Sequence, residues 1–119
     1  MLEKRREEYS KLLEESLKKI LDKLKGKVER ISVFGSYAKG RRDLFTDLDV
    51  IIVVRTDKPF IERMREMYSL LALPVDADIL CYTPEEYERM KAGFLRGVEE
   101  VILYEREGRG RRDEMARAG

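Results

Sequence analysis

The sequence predicts one α+β domain in which a small mixed β-sheet is packed with helices, and three observations carry that expectation. Apolar residues recur at three and four in separate stretches, short Val/Ile-rich runs stand between them, and glycine or proline marks the joins. The resulting order is helix, strand, strand, helix, strand, helix. A chain of 119 residues with 25 Lys+Arg, 24 Asp+Glu and 43% hydrophobic residues has room for one core and no second domain. The domain is expected to occupy residues 1–107, with 108–119 as a flexible tail carrying Arg109, Arg111, Arg112 and Arg117.

Each element has a local reason. The first helix is expected over residues 2–25, where Tyr9, Leu12, Leu13, Leu17, Ile20, Leu21 and Leu24 mark one face. Glu7 with Lys11, Glu14 with Lys18 and Glu15 with Lys19 add pairs on the wet side, and Gly26 stops the helix. Val28 to Phe34 reads as a strand. Leu48 to Val54 reads as a second one, apolar enough to be buried on both faces. The polar connection between them, Gly35 to Asp47, has no full crossover helix, so the two strands are expected to be antiparallel.

Thr56 or Asp57 followed by Pro59 signals a helix start, with Phe60, Met64, Met67, Tyr68 and Leu71 as its buried stripe up to Leu73. Pro74 ends it. Val75 to Tyr82 alternates as a third strand, and Thr83-Pro84-Glu85-Glu86 is a capping box that opens a helix to about Leu95. Val101 to Tyr104 suits a short fourth strand.

Composition excludes several chemistries. There is no run of about 18 apolar residues to cross a membrane. The charged N-terminus lacks the pattern of a secretory signal, so a cytoplasmic protein is expected. The single cysteine, Cys81, rules out an internal disulfide and multi-cysteine zinc sites, and it reads as a small buried hydrophobe. No histidine is present, which removes His-based catalysis and the commonest metal ligand. Asn and Gln are absent while charged residues reach 41%, a composition expected of a thermophilic source. A net charge of +1 gives no global electrostatic case for a nucleic-acid partner.

The chemistry concentrates between the first two strands. Asp47 and Asp49 are two apart at a strand start, so both carboxylates point to one side of the sheet. Such a pair repels itself unless a cation joins it, and oxygen-only ligands favour Mg²⁺ or Mn²⁺. Gly35 and Ser36 stand where the first strand ends, and Tyr37-Ala38-Lys39 can form one helical turn whose free N–H groups suit a phosphate. Lys39, Arg41 and Arg42 are available to neutralise a triphosphate. A third carboxylate would complete a two-metal arrangement. Asp78 is favoured, and Asp76, two residues after Pro74, is its rival.

Gly35-Ser36, then ten residues, then Asp47-Leu48-Asp49 and an apolar strand resembles the signature of the minimal nucleotidyltransferases of the DNA polymerase beta superfamily. The resemblance runs from Ile31 to Glu86, including the third-strand aspartate and Tyr82-Thr83-Pro84-Glu85-Glu86. It implies the polymerase beta-like fold, Mg²⁺ with two ions, and transfer of AMP from ATP to a hydroxyl. Asp47, Asp49 and Asp78 would be the catalytic metal ligands, and Gly35 and Ser36 would hold the β and γ phosphates. It also implies a HEPN-type all-helical toxin as partner, with this chain as the antitoxin that adenylylates a tyrosine of that toxin. No additional acceptor-binding domain of the kind larger relatives carry is expected, so the partner is expected to supply its own docking surface or the domain to work as a homo-oligomer.

Two other functions fit the same residues. A non-catalytic antitoxin could mask its helical partner sterically, but it would have no use for three carboxylates converging on one face. A small-molecule adenylyltransferase would need a pocket that a short chain struggles to build alone. Asp43 reads as a loop cap, Asp76 as a surface ion-pair member, Tyr37 as cover for the core edge, and Met64, Met67 and Met90 as core filler.

Overall fold

The computed structural model describes residues 2–106 and, for Leu2, the backbone alone. The elements are α1 (Leu2–Leu24), β1 (Arg30–Phe34), α2 (Gly35–Ala38), β2 (Leu48–Val53), α3 (Phe60–Leu71), β3 (Ala77–Tyr82), α4 (Pro84–Ala92) and β4 (Val101–Glu105). The basic tail expected over 108–119 lies outside the described residues. Among the described residues no helix is long and apolar enough to cross a membrane.

The four strands lie in the order β3-β2-β1-β4. β1 pairs antiparallel with β2 and β4, and β2 pairs parallel with β3, so the sheet is mixed as expected. Alternation along the strands divides the interior into two cores. On one face Ile31, Val33, Leu48, Val50, Ile52, Ile79 and Cys81 meet the α1 stripe Leu13, Leu17, Ile20 and Leu24, together with Leu71 of α3. On the other face Ile51, Val53 and Tyr82 meet Tyr87 of α4 and Leu95 beyond it. β2 is therefore covered on both sides, which is why its sequence runs almost unbroken in Val and Ile. Asp49 is the one half-buried position in that strand.

Boundaries differ from the sequence expectation where local caps decide them. α3 starts at Phe60 with Pro59 as its N-cap, and Thr56 instead accepts the Lys58 N–H at 3.2 Å within a turn. The helix stops at Leu71 because Ala72 turns left-handed with φ of 42°. Lys19 and Lys23 of α1 then donate to the Ala72 and Leu70 carbonyls at 3.4 and 2.8 Å. α4 opens with both halves of the Thr83–Glu86 capping box, and it ends at Ala92 rather than Leu95.

The buried stripe of α3 also needs correction. Tyr68 is 43% exposed, whereas Arg63, which polarity would place in water, is 6% exposed. Arg63 donates to the Lys58 and Cys81 carbonyls at 2.7 and 2.8 Å and makes a two-pronged contact with Glu86 at 2.6 and 3.0 Å. It ties α3, β3 and α4 together. Tyr68 serves the strand backbone instead, since its hydroxyl donates to the Ala77 carbonyl at 3.1 Å and accepts from the Ile79 N–H at 3.0 Å. Both residues engage the outer side of β3, an edge strand whose backbone would otherwise face water or another chain.

Candidate active site

β2 lies between β1 and β3, and its register fixes the site. Asp49 pairs with Phe34 on the β1 side and with Asp78 on the β3 side. Residue 78 is therefore the direct neighbour of Asp49. Asp76 precedes β3, where its carbonyl accepts the Leu48 N–H at 3.0 Å. Burial raises the Asp49 carboxyl above its usual range, and the charges of Asp78 and Asp47 raise it further, as does a hydrogen bond shared with Asp78. The carboxylates thus sense one another.

The chain turns out of β1 at Gly35, whose φ is +70°. A Cβ at this position would lie 3.2 Å from Asp49 Cγ and collide with Oδ2. Only glycine lets the backbone come so close to that carboxylate. α2 follows at once over Gly35–Ala38, two residues earlier than the sequence places its helical turn, and no side chain caps its N-terminus. Its opening N–H groups have no acceptor within the helix. Gly35 and Ser36 thus stand on the β1 flank of Asp49, with Asp78 on the other flank.

The basic residues after α2 are used differently from one another. Lys39 is exposed at the C-cap of α2. Arg41 is held by Asp43 at 2.7 Å in an exposed ion pair. Arg42 lies 3.4 Å over the Tyr37 ring and donates to the Tyr37 carbonyl at 2.7 Å, which covers the core edge where Tyr37 is buried.

A tight turn holds Asp47. Asp43 accepts the Phe45 N–H at 2.9 Å and receives the Thr46 N–H on its own carbonyl at 3.1 Å, while Thr46 Oγ1 accepts the Asp43 N–H at 3.0 Å. Asp43 is a loop cap, as the sequence suggests. Tyr9 of α1 donates its hydroxyl to the Thr46 carbonyl at 3.0 Å and so pins the residue before Asp47. Burial, followed by the charges of Asp76 and Asp47, raises the Tyr9 hydroxyl above its usual range. The sequence marked Tyr9 only as a member of an apolar face; nothing in the spacing revealed a link across 37 positions.

Among the described residues, no three His, Cys, Asp or Glu side chains are drawn together tightly enough to form a finished metal cage. The donor set nevertheless suits a hard cation: Asp49 carries a mutual charge burden with Asp78 and Asp47, and all the donors are oxygens. Mg²⁺ is characteristically bound by one or two carboxylates plus water and substrate phosphate, without an all-protein cage. Cys81 has no part in this. It is fully buried on the opposite face of the sheet, and burial pushes its thiol up to about 11.

A groove of about 720 Å³ begins at Asp49 and Asp78 and runs between α3 and α4. Met64 and Met90 line it as well as packing beside the two cores, so the core-filler reading of these methionines is incomplete.

Residues 14–114 match the family model described as a nucleotidyltransferase domain. A Methanocaldococcus jannaschii protein named "Putative protein adenylyltransferase" is 32% identical over 93 residues, which cover 77% of this chain and 93% of that protein. A crystal structure described as a "putative nucleotidyltransferase" from Sulfolobus solfataricus shares the fold at a TM-score of 0.57 and 20% identity, covering 86% of this chain and 85% of that one. A tri-AMPylated Shewanella oneidensis HEPN toxin in complex with MNT antitoxin gives a TM-score of 0.47 at 21% identity, covering 89% of this chain and 78% of that one. With the family model spanning most of the sequence and a glycine turn, two paired aspartates and a mixed sheet in the places described, this chain belongs to the nucleotidyltransferase domain family and is a nucleotidyltransferase.

Proposed function

We propose that this chain is a protein adenylyltransferase that moves AMP from ATP to a tyrosine hydroxyl of a HEPN-type all-helical partner, acting as the antitoxin of that pair. The observation that carries the reading is the direct pairing of Asp49 with Asp78 while Gly35 lies against the Asp49 carboxylate. A pair of neighbouring carboxylates and an uncapped turn then adjoin, which suits a nucleoside triphosphate with its cation. The name of the Methanocaldococcus relative supports a protein as the acceptor.

Asp47, Asp49 and Asp78 would hold two Mg²⁺ ions, or Mn²⁺, which when bound stabilise the entering and departing oxygens. The N–H groups of Gly35 and Ser36, with the Ser36 hydroxyl, hold the β and γ phosphates. Lys39 offsets their charge, and Arg41 can join by exchanging its exposed contact with Asp43 for a phosphate. Asp78 orients the acceptor hydroxyl. The tyrosine oxygen forms a bond to the α phosphorus as the bond to pyrophosphate breaks, and the hydroxyl proton passes to solvent. Tyr9 and the Asp43–Thr46 turn keep Asp47 in place throughout.

The test is label transfer from α-labelled ATP with Mg²⁺, comparing the wild type with an Asp47→Ala, Asp49→Ala double variant and offering a HEPN-type protein, taken from the neighbouring gene if there is one. Label is expected on that protein with the wild type alone. A stable complex formed by both proteins, with no label from either, would replace catalysis by steric masking.

A further inference from the structure

We propose that the groove between α3 and α4 is the acceptor channel, seating an apolar segment of the partner protein and presenting its tyrosine to Asp78. This inference rests on the adenylyltransferase reading and adds where the acceptor lies and what surrounds its hydroxyl.

Direction comes from the sheet. Gly35 and Ser36 stand on the β1 side of Asp49, and Asp78 stands on the β3 side. In an in-line displacement the attacking oxygen enters opposite the departing pyrophosphate. With the pyrophosphate on the Gly35–Ser36 turn, the acceptor arrives from the β3 side; the groove reaches Phe34 at the end of β1, but most of its lining, from Asp78 through Tyr82 to α3 and α4, lies on that side.

Composition identifies the occupant. The lining takes Leu80 and Tyr82 from β3, Met64 from α3, Met90 from α4 and Phe94 from just beyond the end of α4. Aromatic rings and thioethers favour aromatic and aliphatic side chains. Besides the two aspartates, the charged groups here are Glu86, already held by Arg63, and Arg89 at an exposed position. Among the described lining residues Arg89 is the one cation, too few to track a nucleic-acid backbone, but it can receive an acidic residue beside the tyrosine. Phe94 is 75% exposed, a large apolar surface at the groove that a partner segment would cover. The volume of about 720 Å³ suits one aromatic side chain with its apolar neighbours.

The experiment uses the full chain with two short peptides, each holding one tyrosine and one glutamate, flanked by leucines in one and by serines in the other. With Mg²⁺ and labelled ATP, the leucine-flanked peptide should show a KM lower by about tenfold. Phe94→Ser should remove most of that advantage while leaving the KM for ATP unchanged. Both positions 89 and 94 are exposed, so Phe94→Ser and Arg89→Ala should leave the fold intact. A loss of ATP affinity in Phe94→Ser with peptide KM unchanged would make the groove a nucleoside site and overturn the proposal. Transfer that ignores both the flanking residues and Phe94 would do the same while leaving the adenylyltransferase reading intact. A parallel binding measurement uses the leucine-flanked peptide with phenylalanine for tyrosine, which cannot be modified. Phe94-dependent binding without any transfer to the tyrosine peptide would uphold the groove and refute the adenylyltransferase reading.

Discussion

Replacing Gly35 with alanine should separate the geometry of the site from the stability of the fold. At φ of +70° an alanine costs about 1 kcal/mol of backbone strain. Its Cβ would also collide with Asp49 Oδ2 and approach Cγ at 3.2 Å, so the carboxylate must swing to another rotamer. A displacement of about 1 Å in a reacting group can cost about a hundredfold in rate. Gly35→Ala is therefore expected to lower the melting temperature by roughly 5–10 °C and nucleotidyl transfer by about a hundredfold or more. The control is Gly26→Ala, beyond the end of α1. Its φ is +83°, and a Cβ there meets nothing within 4 Å. It should lose a similar amount of stability and keep its activity. The assay is label transfer well below both melting temperatures, alongside thermal unfolding of each variant. A Gly35→Ala protein that transfers within about threefold of the wild type would refute the idea that close approach of the turn places Asp49.

Two further outcomes follow from charge. Arg63 holds the Glu86 carboxyl down to about 2 from its ordinary 4.5, mainly through its hydrogen bonds. That difference is worth at most about 3 kcal/mol, and solvent reaching a side chain that is 26% exposed reduces it to roughly 2 kcal/mol. A depressed carboxyl stabilises the fold above its unfolded pKa, and that stability fades as pH falls from about 4.5 through about 2. Glu86→Gln should thus be less stable than the wild type in urea titrations at pH 7 and nearly equal at pH 2; an equal deficit at both values would refute the charge assignment. In the metal-free protein at neutral pH, Asp49→Asn should raise the melting temperature by relieving repulsion, whereas Mg²⁺ with a non-hydrolysable ATP analogue should raise that of the wild type far more than that of the variant. Equal shifts in both proteins would remove Asp49 from the cation site.

Much of this architecture is legible because local rules and tertiary needs agree. The α1 stripe, the capping box at Thr83 and the doubly buried β2 all rest on periodicity or cap chemistry that the final packing preserves. The same is true of the Gly35, Asp47 and Asp49 spacing, since a turn and one strand bring those residues together. Legibility fails where long-range partners decide. Arg63 is buried because Glu86 and two carbonyls await it from separate elements, and Tyr68 is exposed because its hydroxyl is needed at the sheet edge. The preference for Asp78 over Asp76 rests on a local signal, Pro74 two residues before Asp76, and β3 begins only at Ala77; the parallel register that puts Asp78 directly beside Asp49 is a long-range feature that the local signal does not contain. Nor can periodicity reveal a groove whose walls come from two helices separated by a strand.

The contrast among the partly buried carboxylates points to which of them the fold keeps for chemistry. Glu100 accepts from Ser32 and Tyr87 at 2.6 Å each and from Lys91 at 3.1 Å. Burial alone would raise its carboxyl, yet these donors hold it below the ordinary range. Glu86 has Arg63 and the Thr83 N–H. Where a carboxylate serves the structure, the fold surrounds it with donors. Asp49 is treated the opposite way: it sits in the most apolar strand, its carboxylate neighbours are Asp78 and Asp47, and both burial and those charges push it up. Such an arrangement works against stability, and a hydrophobic residue at 49 would suit the strand better. An ionisable group kept at that disadvantage, beside a glycine that alone can make room for it, is what the proposed cation site would explain, since a bound cation would supply the missing positive charge.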